Sequence, residues 1–270
     1  EPRGAGARDR RARHPGAGLN DALLADLQAC CGREAVQAGE ALAPLTCDIH
    51  GEGAPPAAAV APANVDDLQA VLRLAARHGV AVLPRGGGSS YTRGYLADAP
   101  GALLVDLRRL DRIVAIDESD AFVTVEAGVT WATLDAALAE RGWRARFRGP
   151  FSGTVATVGG ALAQQAISHG TGAHGMAGDN VLALDVVLAD GTLLRTGSAA
   201  VTGHPFLRHA GPDLSGLFIG GCGTLGVIAR ATLPIQRRPA AWAGLSVAFD
   251  RFEAMHAGLR AAALEAADDT

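Results

Sequence analysis

Residues 84–90 read Pro84-Arg85-Gly86-Gly87-Gly88-Ser89-Ser90, directly after the apolar run Val80 to Leu83. Three consecutive glycines carry no Cβ, so their N–H groups can face one side together, and two hydroxyls extend the row. A row of bare amides is a socket for a phosphate or pyrophosphate. Each charge-assisted bond of this kind contributes roughly 1.5–3 kcal/mol, and a diphosphate so held needs no divalent metal. Two more glycine-rich stretches, Thr157-Val158-Gly159-Gly160 and GGCGTLGVI at 220–228, lie far downstream. One run alone reads as a tight turn. Three in one chain point to a large phosphate-bearing cofactor.

The third stretch contains Gly221-Cys222-Gly223-Thr224-Leu225-Gly226, a letter-for-letter GxGxxG. That fingerprint needs a helix straight after it, whose N-terminus holds the pyrophosphate. Val227 to Leu233 is instead a strand pattern ending at Pro234, which argues against a Rossmann reading. Lys and Arg together number 24 and every one is arginine, so a Walker-type loop and lysine Schiff-base chemistry are excluded. There is no GxSxG, hence no support for a nucleophile elbow.

A formal net charge of −4 argues against a general nucleic-acid binder. Cys30, Cys31, Cys47 and Cys222 show no CxxC spacing and read as reduced thiols of a cytoplasmic protein. Cys222, in its apolar glycine-rich setting, reads as a packing thiol. No apolar stretch reaches about 18 residues, so no membrane span is expected. His169 and His174, in SHGTGAHG, read as parts of a glycine-rich turn rather than as metal ligands.

Helices and strands are mixed without regular βαβ alternation, so the expected class is α+β with two small subdomains. Residues 1–18 read as a disordered basic tail, and residues 19–52 as a helical lead-in beginning with a helix at Leu19 to Leu27. Gly53 to Pro62 reads as a Pro- and Ala-rich link. Asn64 caps a helix carrying Leu68, Val71, Leu72 and Ala75 on one face, and Gly79 stops it. Short strands are expected at Val80–Leu83, Leu103–Leu107, Ile113–Ile116 and Phe122–Val125. Thr130 caps a second helix, and a small one follows Gly160. Asp190-Gly191 turns strand Val181–Leu188 into Thr192–Thr196, with Asp185 facing solvent. Val227 to Ile235 is the last strand of the main unit. Beyond Arg237-Arg238-Pro239 a new unit is expected, with a strand at Leu245–Phe249 and an amphipathic helix at Phe252–Leu264.

The order PRGGGSS, Pro150 with TVGG, the ADG hairpin and GGCGTLGVI resembles the PCMH-type FAD-binding domain of the vanillyl-alcohol oxidase flavoproteins. The likeness runs from about Leu42 to Pro239, and is strongest toward the branch with glycolate oxidase, D-lactate dehydrogenase and alkyl-dihydroxyacetonephosphate synthase. The resemblance implies that residues 53–239 bind FAD, with Pro84, Arg85, Gly86, Gly87, Gly88, Ser89 and Ser90 at the diphosphate. It implies that Pro150, Phe151, Ser152, Gly153, Thr154, Val155, Ala156 and Thr157 line the flavin and diphosphate, continuing through Gly159 and Gly160. Gln164, Gln165, Ala166 and Ile167 add contacts, and Cys222, Gly223, Thr224, Leu225, Gly226, Val227 and Ile228 approach the adenine side.

This chain departs from the family pattern in three places. His174-Gly175 replaces a Tyr-Gly pair, Gly221-Cys222 replaces Ser-Glu, and Gln165, Ile167 and Ser168 replace an Asn- and Gly-rich turn. Some relatives attach the flavin to a first-loop histidine; Ser89 stands there, which implies non-covalent FAD. The implied reaction is hydride transfer from a small 2-hydroxy acid or alcohol to flavin N5, with no metal. Catalytic residues are expected after Pro239, in a substrate or cap domain whose start is residues 240–270 and which is truncated at Thr270. An ether-lipid (alkylglycerone-phosphate) synthase and a non-catalytic flavin-binding fragment are the alternatives. A homo-oligomer is left open.

Overall fold

The computed structural model describes residues 21–49, 51–209, 211–241 and 243–268; residues 1–18 and Leu19, read above as a tail and a helix start, lie outside them. The first unit runs α1 (Asp21–Cys31), β1 (Val36–Gln37), β2 (Cys47–Asp48), β3 (Gly51–Glu52), β4 (Ala58–Val60), α2 (Val65–His78), β5 (Val82–Arg85) and β6 (Leu103–Asp106). Its sheet has the order β1-β4-β6-β5; β4 and β5 both lie parallel to β6, and β1 is antiparallel to β4.

The helix of this unit forms where the residues place it. The Asn64 side chain accepts from the Asp67 N–H at 2.8 Å, and Gly79 closes the far end at φ 66°. Leu68, Val71, Leu72 and Ala75 are buried as one stripe. One reading needs correction. Within the supposed link Gly53–Pro62, Ala58–Val60 is a fully buried strand. A parallel strand buried on both faces shows no alternation, and alanine carries little strand preference, so composition hid it.

The second unit contains β7 (Ile113–Asp117), β8 (Phe122–Glu126), α3 (Trp131–Ala139), β9 (Trp143–Ala145), α4 (Val158–Ala163), α5 (Thr171–His174), β10 (Ala183–Val187), β11 (Leu193–Arg195), α6 (Ala199–Thr202) and β12 (Val227–Arg237). Its antiparallel sheet has the order β11-β10-β12-β8-β7, and β9 pairs with the end of β12. One set of its side chains, Val187, Val227 and Ala229, packs into the core of the first unit beneath α1 and α2. Val186, Ile228, Ala231 and Leu233 join a second core with Leu134 and Leu138 of α3 and Val158 and Leu162 of α4. The architecture is therefore α+β with two sheets, as expected. Because the second sheet feeds both cores, the loops at the junction are held by both units. α7 (Phe252–Asp268) follows, but no strand forms at Leu245–Phe249. Those residues are exposed, and a strand without a partner leaves its backbone groups unpaired.

Asp185 also corrects its reading. It belongs to a row of alternating charge across the sheet: Arg195 on β11, Asp185 on β10, Arg230 on β12, Glu126 on β8, and Arg112. Successive separations are 3.7, 3.7, 3.7 and 2.8 Å. Burial pushes the Asp185 carboxyl up, and Arg195 and Arg230 oppose that shift. Cross-strand register put the two arginines beside it, and register is not written in a single strand's residues. The Glu126 side chain is fully buried between Arg112 and Arg230. Hydrogen bonds to a charged group contribute ~1.5–3 kcal/mol, so Glu126→Gln is expected to lower unfolding stability by about 2 kcal/mol in urea titration. A loss under about 1 kcal/mol would contradict a structural role for the row.

Candidate functional site

The three glycine stretches meet around one cleft of about 340 Å³, inside the range of ~300–1,000 Å³ common for small-molecule sites. The first stretch enters from the carboxyl end of β5, the usual side for ligands of parallel sheets. The second enters through Thr157 to Gly160 at the head of α4, and the third through Cys222 to Ile228 as it runs into β12.

Their amides do different jobs. The N–H of Val158 donates to the Val129 carbonyl, that of Gly159 to Ala127, and that of Gly160 to the Thr157 hydroxyl. In the third stretch Gly220 donates to Leu162 and Cys222 to Ala163. Those amides are spent on holding the fold. Among the described residues, the N–H groups of Gly86, Gly87, Gly88, Ser89 and Ser90 donate to no protein acceptor. Five adjacent donors without partners are costly unless water or a ligand satisfies them.

The glycines are required by the protein itself. A Cβ on Gly87 would run into the Val155 carbonyl oxygen, and one on Gly86 into the Thr157 hydroxyl. The first and second loops therefore nest backbone against backbone. Gly88, at φ 68°, leaves room for the Arg85 guanidinium, which donates to the Gly86 carbonyl at 3.3 Å. Arg85 is buried, and its Nε has no partner. Burial works against its charge while Asp106 supports it. A desolvated cation with an unused donor, beside five unused amides, fits an anion of more than one charge.

Side chains outside the expected set fix this geometry. Tyr95 is buried, and its hydroxyl lies 2.9 Å from the carbonyl oxygens of both Gly88 and Cys47. Its ring lies 5.4 Å from the Arg85 guanidinium. Gln164 joins the loops: its Oε1 accepts from the Thr92 hydroxyl at 2.7 Å, and its Nε2 donates to Cys222 Sγ at 3.3 Å. Gln165 and Cys222 hold φ of 48° and 50°, a left-handed conformation that ordinary side chains adopt at a cost of ~1–3 kcal/mol. Gln165 recovers part of this by accepting from the Gly178 N–H at 2.9 Å.

Pro84 to Ser90, Pro150, Ser152, Ala156, Thr157, Gly159, Gly160, Gln164 to Ile167, Cys222, Gly223 and Gly226 to Ile228 line the cleft. Phe151, Gly153, Thr154, Val155, Thr224 and Leu225 do not. Phe151 is 92% exposed and stands edge-on to His169 at 4.3 Å. Val155 contributes its carbonyl to the loop contact instead. Tyr91, Thr92, Gly94, Tyr95 and Leu107 line the cleft and were missed by sequence reasoning. The available signal for Tyr95 was an aromatic seven residues beyond the last glycine of the loop.

The model of the FAD binding domain family matches residues 56–197. The glycolate oxidase subunit GlcD of Bacillus subtilis is 31% identical over 184 residues, covering 68% of this chain and 38% of that protein. A probable mitochondrial D-lactate dehydrogenase of Danio rerio is 30% identical over 263 residues, covering 92% of this chain and 50% of that one. The chain thus spans half or less of the length of these relatives. Among solved structures, an alkyldihydroxyacetonephosphate synthase superposes with a TM-score of 0.72 at 21% identity, covering 83% of this chain and 45% of that one. A p-cresol methylhydroxylase with substrate bound gives 0.71 at 22%, with the same coverages. These two likenesses establish the fold. Among the described residues no helix is long and apolar enough to cross a membrane.

The nested loops set a direct expectation. Overpacking a tight contact costs ~1–3 kcal/mol, so Gly87→Val is expected to destabilise the protein by about 2 kcal/mol. That lowers its melting temperature by roughly 4–8 °C. An unchanged melting temperature in differential scanning calorimetry would show that the Val155 contact is not tight.

Proposed function

The chain belongs to the FAD binding domain family, and from that membership we propose that it forms the cofactor-holding half of a flavin-linked dehydrogenase or oxidase acting on a small 2-hydroxy acid or alcohol. The observation that carries the reading is the row of unclaimed amides at Gly86 to Ser90 beside the buried Arg85. When bound, FAD supplies the two-electron chemistry, accepting hydride from the substrate C–H bond. The two relatives named for oxidation of glycolate and D-lactate support the hydroxy-acid side of the proposal.

In this reading the first-loop amides and Arg85 hold the diphosphate by hydrogen bonds and charge. Tyr95 keeps the Gly88 carbonyl turned toward its own hydroxyl, which leaves the neighbouring N–H groups free. Gln164 ties the first loop to the third, so the cleft closes as one piece. Val227 and Ile228 offer apolar cover from the start of β12, keeping water from the ring system. Ser89 cannot form the histidyl link seen in some relatives, which supports non-covalent attachment. No side chain of residues 53–239 is assigned as an acid or base, and we place those groups in the remainder of the full-length protein. Four free thiols support a reducing, cytoplasmic setting.

The purified protein is expected to be yellow and to release all of its flavin into the supernatant on acid precipitation. A colourless protein that takes up no FAD on reconstitution would refute the reading, and flavin left in the pellet would refute non-covalent attachment. Tyr95→Phe removes one hydroxyl worth about 1.4 kcal/mol of loop order, so FAD is expected to bind roughly tenfold more weakly by fluorescence titration. Equal affinity would remove Tyr95 from the account. At ~1,000 times its dissociation constant FAD should add about 4 kcal/mol of stability, read as a higher melting temperature.

A further inference from the structure

The two hydroxyls that close the first loop do not share one role, because a hydroxyl carries a single proton and can donate it once. Ser89 and Ser90 are adjacent in sequence, and both line the cleft. A chain of hydrogen bonds starts at the second of them. Ser90 Oγ lies 2.9 Å from Thr92 Oγ1, the Thr92 hydroxyl lies 2.7 Å from Gln164 Oε1, and Gln164 Nε2 lies 3.3 Å from Cys222 Sγ. Thr92, Gln164 and Cys222 line the cleft as well.

The polarity of this chain is fixed at its middle. A carboxamide oxygen only accepts and a carboxamide nitrogen only donates. The 2.7 Å separation is that of an O–H···O bond, so Thr92 gives its proton to Gln164, and Gln164 donates onward to the Cys222 sulfur. With its own proton used, Thr92 can only accept from Ser90, and the Ser90 proton is used in turn. The Ser90 oxygen also accepts from the Thr92 N–H at 3.2 Å, which closes a small ring between the two residues.

The backbone holds the far end of the chain. Gln164 ends α4, where its N–H donates to the Gly160 carbonyl, and the Cys222 N–H donates to the Ala163 carbonyl beside it. Gly94 makes room for the relay: a Cβ there would run into Gln164 Nε2 and lie 3.4 Å from Cys222 Sγ. Ser89 stands outside this arrangement. It is exposed, and among the described residues its hydroxyl has no protein partner.

We infer that Ser89 donates its hydroxyl proton to the anion held by the first loop, while Ser90 and Thr92 are positioning residues whose hydroxyls serve the relay to Gln164. The inference rests on the reading of the first loop as the diphosphate site, and it divides that site by role. Ser90 reaches the anion through its N–H alone, and its side chain ties the end of the first loop to the third.

Fluorescence titration with FAD and isothermal titration with inorganic pyrophosphate, both on flavin-stripped protein, test the division. Ser89→Ala is expected to weaken both ligands about tenfold, as the loss of one charge-assisted hydrogen bond does, and to leave the melting temperature of the ligand-free protein unchanged. Ser90→Ala is expected to lower that melting temperature, and Ser90→Thr, which keeps the hydroxyl, to restore it. Combined with Gln164→Leu, Ser90→Ala is expected to add no further loss of affinity, because the relay is already cut, whereas the Ser89→Ala loss multiplies with it. Thr92→Val takes the place of Gln164→Leu in this cycle if the latter does not fold. Wild-type affinity in Ser89→Ala, or a Ser90→Ala loss that multiplies fully with the cut relay, would overturn the inference. Pyrophosphate binding weakened by Ser89→Ala in a protein that takes up no FAD faults the flavin reading and leaves the division standing. FAD uptake untouched by Ser89→Ala faults the division alone, and a wild type that binds neither ligand overturns both.

Discussion

The structure depends on a close approach of two backbones. The first loop lies against the second so tightly that no Cβ fits at Gly86 or Gly87, and this contact turns a row of N–H groups outward with nothing in the protein to receive them. Gly86 and Gly87 permit the contact because they carry no Cβ, and the run leaves five donors in a row. The donors are unfavourable in isolation, so the loop is held by something else. The parallel β5–β6 pair fixes its start, Tyr95 fixes Gly88, and Gln164 fixes the turn beyond it through Thr92.

Stability and function are therefore divided among similar-looking sequences. Gly159, Gly160 and Gly220 spend their amides on α4 and its neighbours, which makes them scaffold, whereas the run at 86–88 spends nothing. The left-handed Gln165 and Cys222 both sit on the cleft wall. Strain of this kind persists only when surrounding packing enforces it. The second sheet provides that packing, because its side chains reach both cores.

Much of this could be read from the residues alone. The Asn64 cap, the Gly79 stop, the Asp190-Gly191 turn and the strand after Gly226 are local signals set by side-chain hydrogen bonds and backbone freedom, and they formed as expected. What could not be read depends on partners distant in sequence. Ala58–Val60 becomes a strand only because β1 and β6 flank it, and Leu245–Phe249 fails to become one for lack of any neighbour. Asp185 gained its arginines through register. In the cleft, composition marked the glycine runs but not their division of labour, nor Tyr95, whose role is set by folding back seven residues onto Gly88. Phe151 and Leu225 belong to the right loops but face outward, since the alternation of side chains within a loop has no fixed period.

The central claim is that one specific set of peptide dipoles receives the dinucleotide. Amide chemical-shift mapping of the isotopically labelled protein during FAD titration measures this residue by residue. The account predicts that the largest downfield proton shifts fall on Gly86, Gly87, Gly88, Ser89 and Ser90, while the already bonded amides of Val158, Gly159 and Gly220 move little. Large shifts at those three with a silent first loop would contradict it.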